Sequence, residues 1–406
     1  SYGSSGNTLR NNNMTSNSYN FGVYGVSLLH FINDVDTSNT VNGKPIYYWI
    51  SQHDKQVPTN AGYVAIVNST GVIAKNLDLS KNEQGILFAY TINSRIMNVT
   101  ASHNYNGIYL WSSDENILSR SNIANNSDRG IGLYYSYSNT VADNTVTDNG
   151  MGIYATISHY NVINSNVVLR NIIGIYLYYS DNNTAVINKV TGGPNGLVGI
   201  CLTEATGNVI CENVVSDNRF WVGSAIHLEW SSNNNLIVKN TITNNNYGLS
   251  IGYWGLYGQK DQNNNNTIYH NNLIKNKKQA LNLNSINTWD SGYPSGGNYW
   301  SDYTGLDLYY GPYQNLTGRD GIGDEPYIID ADNRDKYPLM GRCPPLLGDL
   351  NLDGIVDIED IYFAGCAFGS TPGHPRWSPI ADVNKDEIID ISDIYLIALN
   401  FGKAGS

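Results

Sequence analysis

The sequence predicts an all-β protein built mainly as a parallel β-helix, or β-solenoid, followed by a small α-helical module. Three observations predict this architecture: a repeat of 22 to 25 residues that starts on glycine, a ladder of asparagines in phase with it, and a duplicated acidic pattern near the C-terminal end. Periods of this length are typical of solenoids. A β-sandwich, the competing all-β fold, predicts turn signals every 8–12 residues or so without a fixed longer period.

The repeat unit is Gly-Ile-x-Leu or a close relative, in which alternate apolar residues such as Ile175 and Leu177 are expected to fill the interior. With eleven copies and a strand spacing of about 4.8 Å, the solenoid should be roughly 50 Å long. The copies start at Gly25, Gly62, Gly85, Gly107, Gly130, Gly152, Gly174 and Gly199, and in altered form at Ala225, Gly248 and Ala280.

The asparagine ladder marks the turns of the coils. Asn tolerates the left-handed backbone conformation, and its amide can bond to the coils above and below. Each member follows another Asn by five residues: Asn144 after Asn139, Asn166 after Asn161, Asn188 after Asn183, Asn213 after Asn208, Asn240 after Asn235 and Asn271 after Asn266.

The acidic pattern predicts two Ca²⁺-binding loops, each opening a helix. Oxygen ligands recur at loop positions 1, 3, 5, 9 and 12, with the carbonyl of position 7 completing the shell. Glu387 replaces the glycine of position 6, so the second site is expected to be weaker. The ligands are Asp349, Asn351, Asp353, Ile355, Asp357 and Asp360, then Asp382, Asn384, Asp386, Ile388, Asp390 and Asp393.

Composition excludes some classes of protein. The net charge of −12 and the scattered basic residues do not suit a nucleic acid. The sequence contains no apolar run long enough to span a membrane, and Ser1 suggests a mature or truncated start. Seven N-x-S/T sequons fit a secreted glycoprotein, at Asn13, Asn68, Asn98, Asn125, Asn182, Asn265 and Asn315.

The order loop-then-helix, with Asp at position 12, resembles a dockerin over residues 348–402. Dockerins bind cohesin modules. The pairs Ile358-Glu359 and Ile391-Ser392, however, stand where cohesin-binding dockerins of the best-known type carry small hydroxyl residues. The resemblance suggests a disulfide between Cys343 and Cys366, while Cys201 and Cys211 could equally be free thiols.

Residues 1–287 resemble the right-handed parallel β-helix (PbH1-repeat) proteins of archaea that are grouped with NosD. Insertions fall near residues 33–60 and 252–266, and residues 288–342, with Gly-Gly-Asn-Tyr-Trp-Ser-Asp-Tyr at 296–303, resemble the C-terminal segment that caps such solenoids. The copper delivery for which NosD is named is not expected here, because the His and Met residues are scattered. His227 is expected on a solvated outer surface.

An aromatic stripe should face outward from the two x positions of the repeat, and it could hold sugar rings or a neighbouring chain. Acids such as Glu204 and Glu229 look isolated in the sequence, which argues against paired catalytic carboxylates. The stripe comprises Tyr109, Trp111, Tyr134, Tyr154, Tyr176 and Tyr178.

The sequence therefore suggests a non-catalytic structural protein, extracellular or on the cell surface. It would form filaments or a surface layer through its calcium-stabilised module, with copies of itself or a cohesin-like protein as partner. The alternative is a secreted carbohydrate-binding or carbohydrate-active β-helix protein, a lyase or a hydrolase, tethered through the same module.

Overall fold

The computed structural model describes residues 4–252, 262–343, 346–352, 354–374 and 376–403. A parallel β-solenoid occupies most of this length, which confirms the architecture predicted from the repeat. An irregular cap and two short helices follow it.

One long sheet of thirteen strands runs along the solenoid. Its strands pair in parallel, except for the antiparallel pair Thr40–Val41 and Lys44–Ile50. In order the strands are Asn13–Met14, Thr40–Val41, Lys44–Ile50, Tyr63–Val67, Gln84–Ala89, Asn106–Trp111, Arg129–Tyr134, Met151–Thr156, Ile173–Tyr178, Val198–Thr203, Ser224–Glu229, Tyr247–Ile251 and Lys278–Asn282.

Two further stacks of short strands form the other sides of each coil, and two longer strands, Ile73–Ser80 and Arg95–Ser102, join them. The first stack contains Ile117–Ser119, Thr140–Ala142, Val162–Asn164, Thr184–Val186, Val209–Cys211, Leu236–Val238 and Thr267–Tyr269. The second contains Asn122–Ala124, Thr145–Thr147, Val167–Leu169, Lys189–Gly193, Val214–Asn218, Thr241–Thr243, Asn272–Ile274 and Tyr299–Trp300.

Stacked aliphatic side chains fill the interior, as the repeat predicts. Ile131, Ile153 and Ile175 are register partners in successive coils, and each is fully buried. The preceding glycine is required by close packing of the coils, because a Cβ on Gly107 would lie 2.5 Å from the carbonyl oxygen of Gly130. Alanine at this position would therefore push adjacent coils apart.

The asparagine ladder is buried and connects the coils, as predicted. Asn166 donates from its backbone N–H and from its amide to Oδ1 of Asn188, at 2.9 and 3.0 Å, and its amide also donates to the carbonyl of Val141. The left-handed conformation, however, falls on the residue before each ladder Asn, such as Ser165 (φ 54°) before Asn166. The ladder residue itself is needed for its amide, not for its backbone freedom.

The end of the solenoid is closed by two buried tryptophans and a buried acid. Trp289 and Trp300 are each 1% exposed, and the ring centroids lie 6.1 Å apart. Asp335 accepts a hydrogen bond from the Trp300 indole at 2.8 Å. The remaining short elements are Thr8–Leu9 with Asp34–Val35, the antiparallel pairs Tyr309–Tyr310 with Leu316–Thr317 and Tyr327–Ile328 with Arg334–Asp335, and the 3-10 helix Leu28–Phe31.

The C-terminal module contains two helices, α1 (Ile358–Ala367) and α2 (Ile391–Leu399). Each begins with an aspartate N-cap and a capping box, which explains why each helix starts inside its acidic pattern. The module packs on the cap, where the Arg319 guanidinium lies 5.4 Å from the Phe363 ring centroid. Across the described ranges, no helix is long and apolar enough to cross a membrane.

Candidate functional site

The candidate site is the outer face of the long sheet. Its side chains come from the x positions of the repeat, so they form two columns that continue from coil to coil. One column runs Tyr154, Tyr176, Cys201, His227 and Ser250, and the other runs Trp111, Tyr134, Thr156, Tyr178, Thr203 and Glu229.

The predicted aromatic stripe lies on this face, but it is not uniformly exposed. The N-terminal segment crosses its first coils, so that Tyr24 contacts Tyr109 and Phe31 contacts Trp111 at centroid distances of 5.7 and 6.4 Å. Tyr109 is consequently only 5% exposed and belongs to a second apolar core. The expectation that the whole stripe faces solvent is therefore wrong at its N-terminal end, and it is also wrong at Tyr154, which is 7% exposed.

Beyond that cover, the aromatic rings contact each other along the solenoid. Tyr154 lies 5.6 Å from Tyr134 and 5.4 Å from Tyr176, between ring centroids. The Arg129 guanidinium lies over the rings of Tyr134 and Tyr154, at 5.5 and 4.7 Å, and pairs with Asp128. The cation is thus neutralised locally and also rigidifies the rings.

A second set of aromatic residues, which the sequence reasoning missed, follows directly after the strands. Tyr135 and Tyr179 occupy the left-handed region at φ 51° and 48°, and each is 40% exposed. Holding a non-glycine residue there is unfavourable by about 1 kcal/mol. The Tyr178 and Tyr179 rings lie 4.5 Å apart, so the two sets form one platform.

A hydrogen-bonded acid and imidazole lie at the C-terminal end of this platform. Nε2 of His227 lies 3.3 Å from Oε2 of Glu229, and Thr203 donates to Oε1 of Glu229 at 3.0 Å. Nδ1 of His227 lies 2.8 Å from Oγ of Ser250 and 3.2 Å from its carbonyl oxygen. His227 is 3% exposed, so the expectation of a solvated His227 is wrong.

Two acids that look isolated in the sequence lie in adjacent coils. Thr203 and Glu229 are register partners, and Glu204 follows Thr203 directly. Tyr179 donates to Oε1 of Glu204 at 2.5 Å, and this hydrogen bond raises the pKa of Tyr179 to about 12. The repeat could have revealed that these two acids lie in adjacent coils, because Glu204 follows its anchor Gly199 by five residues and Glu229 follows its anchor Ala225 by four.

Burial governs the remaining titratable groups of the face. It raises the pKa of the Tyr176 hydroxyl, with Cys201 and Glu229 adding to the effect. It also raises the pKa of the Cys201 thiol, which is 3% exposed. Both groups therefore keep their protons at neutral pH and act as hydrogen-bond donors.

The two predicted calcium loops have equivalent local contacts. The carboxylates at position 12, Asp360 and Asp393, are fully buried, and each accepts three backbone N–H groups of its own loop. At position 6, Gly354 and Glu387 both have positive φ, 91° and 66°. This conformation is unfavourable for Glu387, and the weaker second loop stays a prediction.

The other predicted ligands bond mainly within their loops. Asp349 accepts from the Gly354 N–H and Asp382 from the Glu387 N–H, each at 2.9 Å. Asp353 lies outside the described residues. Among those that are described, no three His, Cys, Asp or Glu side chains form a group that could hold a metal ion. The remaining predicted side-chain ligands take part in turns and helix caps, namely Asn351, Asp357, Asn384, Asp386 and Asp390. The side chains at position 7 of the two loops, Ile355 and Ile388, are exposed.

The remaining predicted sites have mixed outcomes. Cys343 and Cys366 are free thiols, so the suggested disulfide is not formed. Cys343 is instead held against the solenoid by Asn272: its N–H donates to the Asn272 side-chain oxygen, and its carbonyl accepts from the Asn272 amide. Cys366 lies exposed on α1. Glycosylation stays a prediction, and its acceptors are all exposed, namely Asn13, Asn68, Asn98, Asn125, Asn182, Asn265 and Asn315.

Solved structures with a similar fold include polysaccharide-modifying enzymes. A mutant of the periplasmic alginate epimerase AlgG is 15% identical, with a TM-score of 0.48 over 62% of this chain and 75% of that one. The Azotobacter vinelandii mannuronan C-5 epimerase AlgE6 A-module is 16% identical, with a TM-score of 0.44 over 69% and 83%. The Thermotoga maritima exopolygalacturonase is 15% identical, with a TM-score of 0.34 over 56% and 55%.

These neighbours contradict the expectation that the chain is not an enzyme, since enzymes share its architecture. Likeness at this level shows the fold alone, so any activity must rest on this chain's own residues. No curated protein matches the chain. The model of one family, described as periplasmic copper-binding protein (NosD), matches residues 33–222 and 158–305, and the chain belongs to that family.

Proposed function

We propose that this chain is an extracellular or periplasmic carbohydrate-binding protein, whose aromatic outer face binds a polysaccharide. The observation that carries the proposal is the platform of Tyr178 and Tyr179 with Tyr134 and Tyr135, which is partly solvent-exposed and rigidly spaced by the coils. Sugar rings stack on such aromatic faces through their apolar C–H surfaces. A polymer can contact several coils at once.

Binding to a panel of soluble polysaccharides, measured by affinity electrophoresis, tests the proposal. Tyr179→Ala should weaken binding about tenfold, because it removes about 1.4 kcal/mol of stacking. Tyr313→Ala is the matched control, since Tyr313 is 84% exposed on the cap, away from the platform. Unchanged binding by Tyr179→Ala, or equal losses in both variants, would contradict the proposal.

The copper of the family description does not fit this chain. Within the described ranges, no three potential ligands of the His, Cys, Asp or Glu type are grouped closely enough to hold a metal ion. Cys201 and His227 are neighbours on the face, but both are committed to contacts on the sheet. The proposed binding function therefore needs no copper.

We further propose that the C-terminal module is a dockerin-like tether stabilised by Ca²⁺, with a cohesin-like protein or another copy of the chain as partner. Its two halves expose equivalent apolar side chains: Ile358 and Ile391 at 66 and 67%, and Tyr362 and Tyr395 at 73 and 62%. Repeated exposed apolar groups of this kind favour a binding surface.

Chelation tests the role of calcium in the tether. Removing Ca²⁺ should abolish the helical circular dichroism of residues 348–402 and leave the β-signal of the solenoid unchanged, because the buried carboxylates then repel each other. Asp349→Ala should be more harmful than Asp382→Ala, since Glu387 already strains the second loop. Equal helical signals with and without chelator would contradict the calcium proposal.

A further inference from the structure

A four-residue insertion borders the outer face of the long sheet. In a regular coil a buried asparagine stands three residues before the anchor of the next strand, as Asn171 does before Gly174, whereas Asn218 stands seven residues before Ala225. The extra residues, 219–222, read Arg-Phe-Trp-Val. They form a loop before the strand Ser224–Glu229, so they lie at the border where the parallel strands start, and the platform lies at the border where the strands end.

The loop presents its aromatic residues to solvent on a fixed backbone. Trp221 is 82% exposed and Phe220 is 49% exposed. The amide of Asn246 donates to the carbonyls of Arg219 and Trp221, each at 2.9 Å. The Phe220 N–H donates to the Gly196 carbonyl at 3.1 Å. An insertion that the coil does not need, and that holds a large apolar ring in water, favours a role in binding.

Three lysines continue the same border beyond the loop. Asn246 connects them to it, because the Asn246 carbonyl accepts from the Lys278 N–H at 2.9 Å. Lys275 and Lys277 belong to the same turn as Lys278, and all three residues are exposed. Within the described ranges, none of the three lysines forms an ion pair.

The local charge of this border is positive, unlike that of the whole chain. Arg219 adds a fourth cation, with 57% of its side chain exposed. Two described acids adjoin the cations: Asp217, 3.5 Å from Arg219, and Asp302, which follows the Ser301 that accepts from the Lys275 N–H. Adjacent coils are about 4.8 Å apart, and exposed charges are screened beyond about 8 Å at physiological ionic strength. A bound anion therefore responds to these cations more than to the net charge of −12.

We propose that the loop and the lysines bind an acidic polysaccharide, with a sugar ring stacked on Trp221 and its anionic groups paired with Lys277 and Lys278; this rests on the proposed binding function. The indole ring offers a flat surface to the apolar C–H groups of a sugar. Ammonium groups form charge-assisted hydrogen bonds with the oxygens of a carboxylate or a sulfate. The outer face thereby prefers charged polymers to neutral ones.

Isothermal titration calorimetry of the full-length protein tests this preference with matched pairs of ligands. One pair is a polyuronate and the same polymer after reduction of its carboxyl groups to primary alcohols, and the other is a sulfated glucan and its unsulfated parent. We expect the charged member of at least one pair to bind about tenfold more tightly at low ionic strength. The advantage should shrink toward 1 M NaCl, where charges are screened beyond about 3 Å.

Two aromatic variants test the stacking. Trp221→Ala should weaken binding of the preferred charged polymer about tenfold, through the loss of the ring surface. Tyr313→Ala is the matched control, because Tyr313 is 84% exposed on the cap, and it should leave the affinity unchanged. Equal losses in the two variants overturn the assignment of Trp221.

A pair of lysine variants tests the charge. Lys277→Gln and Lys278→Gln together should weaken binding of the charged polymer about tenfold and leave binding of its neutral partner unchanged. Lys81→Gln with Lys189→Gln is the control of equal charge, since Lys81 lies in a turn beside the N-terminal segment and Lys189 begins a strand of the second stack. Equal losses in the two double variants overturn the assignment of the lysines.

The remaining outcomes separate this proposal from the proposed function. If each charged polymer and its neutral partner bind equally well, the acidic substrate class is overturned and the proposed function stands. If none of the polymers binds, both are overturned. A single-stranded oligonucleotide that binds as tightly as the charged polymer, with the same losses in the variants, overturns the choice of a polysaccharide as the ligand.

Discussion

The buried carboxyl of Asp335 should make the solenoid cap more stable in acid than at neutral pH. Asp335 ends the asparagine ladder, since the Asn271 N–H donates to Asn298, and the Asn298 N–H donates to Asp335 at 2.7 Å. Burial raises the pKa of Asp335 to about 7, against the lowering effect of hydrogen bonds from Asn298, Trp300 and Tyr337. A folded pKa above the unfolded value means that ionisation is penalised in the folded state.

The size of the effect follows from the shift. A rise from 3.8 to about 7 corresponds to about 4 kcal/mol, at about 1.4 kcal/mol per pKa unit. This contribution is fully present below about pH 4 and is lost as the pH rises through about 7. Asp335→Asn removes the titrating group, so its stability should fall between pH 4 and pH 8 by about 4 kcal/mol less than that of the natural protein does.

Urea unfolding followed by tryptophan fluorescence measures this difference, and Trp300 reports it locally because its indole donates to Asp335. Asp332→Asn, at an exposed position of the same cap, is the control and should change stability little at either pH. Burial also raises the pKa of Asp307, to about 6, so some pH dependence will remain in the variant. If the stability of Asp335→Asn changes with pH as much as that of the natural protein does, the hydrogen bonds outweigh burial and the reasoning is refuted.

Two further predictions concern the solenoid itself. Ile175→Asp should lower the free energy of unfolding by about 4 kcal/mol or more, because an unpaired carboxylate would lie in a dry interior. Tyr176→Asp, on the outer face, should lower it much less. Similar urea midpoints for the two variants would contradict this prediction. Asn188→Leu should cost about 2 to 5 kcal/mol, because Asn166 loses its acceptor and the Ile163 carbonyl its donor, and hydrogen exchange should increase in the adjacent coils first.

The position and packing of a residue could be predicted from the sequence wherever they depend only on its own coil and the next one. Gly107 and Ile175 repeat with the coil period, so their stacking could be predicted without any long-range contact. The same holds for the caps Asp357 and Asp390, which act within three residues of themselves. Period and local chemistry determine these positions completely.

Prediction failed where distant segments cover the solenoid. Tyr109 is buried by Tyr24, which lies 85 residues earlier in the chain, and no periodic signal reports that crossing. The predicted disulfide between Cys343 and Cys366 is wrong for a related reason. Asn272 fixes the backbone of Cys343 against the solenoid, whereas Cys366 lies exposed on α1. Both depend on how non-repeating segments dock on the repeat.

The side chains of the outer face change in chemical type along the solenoid, whereas those of the interior do not. Inside, every coil must present the same aliphatic shape to its neighbours, which leaves little freedom for function. Outside, the column changes from Leu87 under the N-terminal segment, through Tyr154 and Tyr176, to His227. Since each coil advances by about 4.8 Å, the fold itself sets the spacing of the outward side chains along this face.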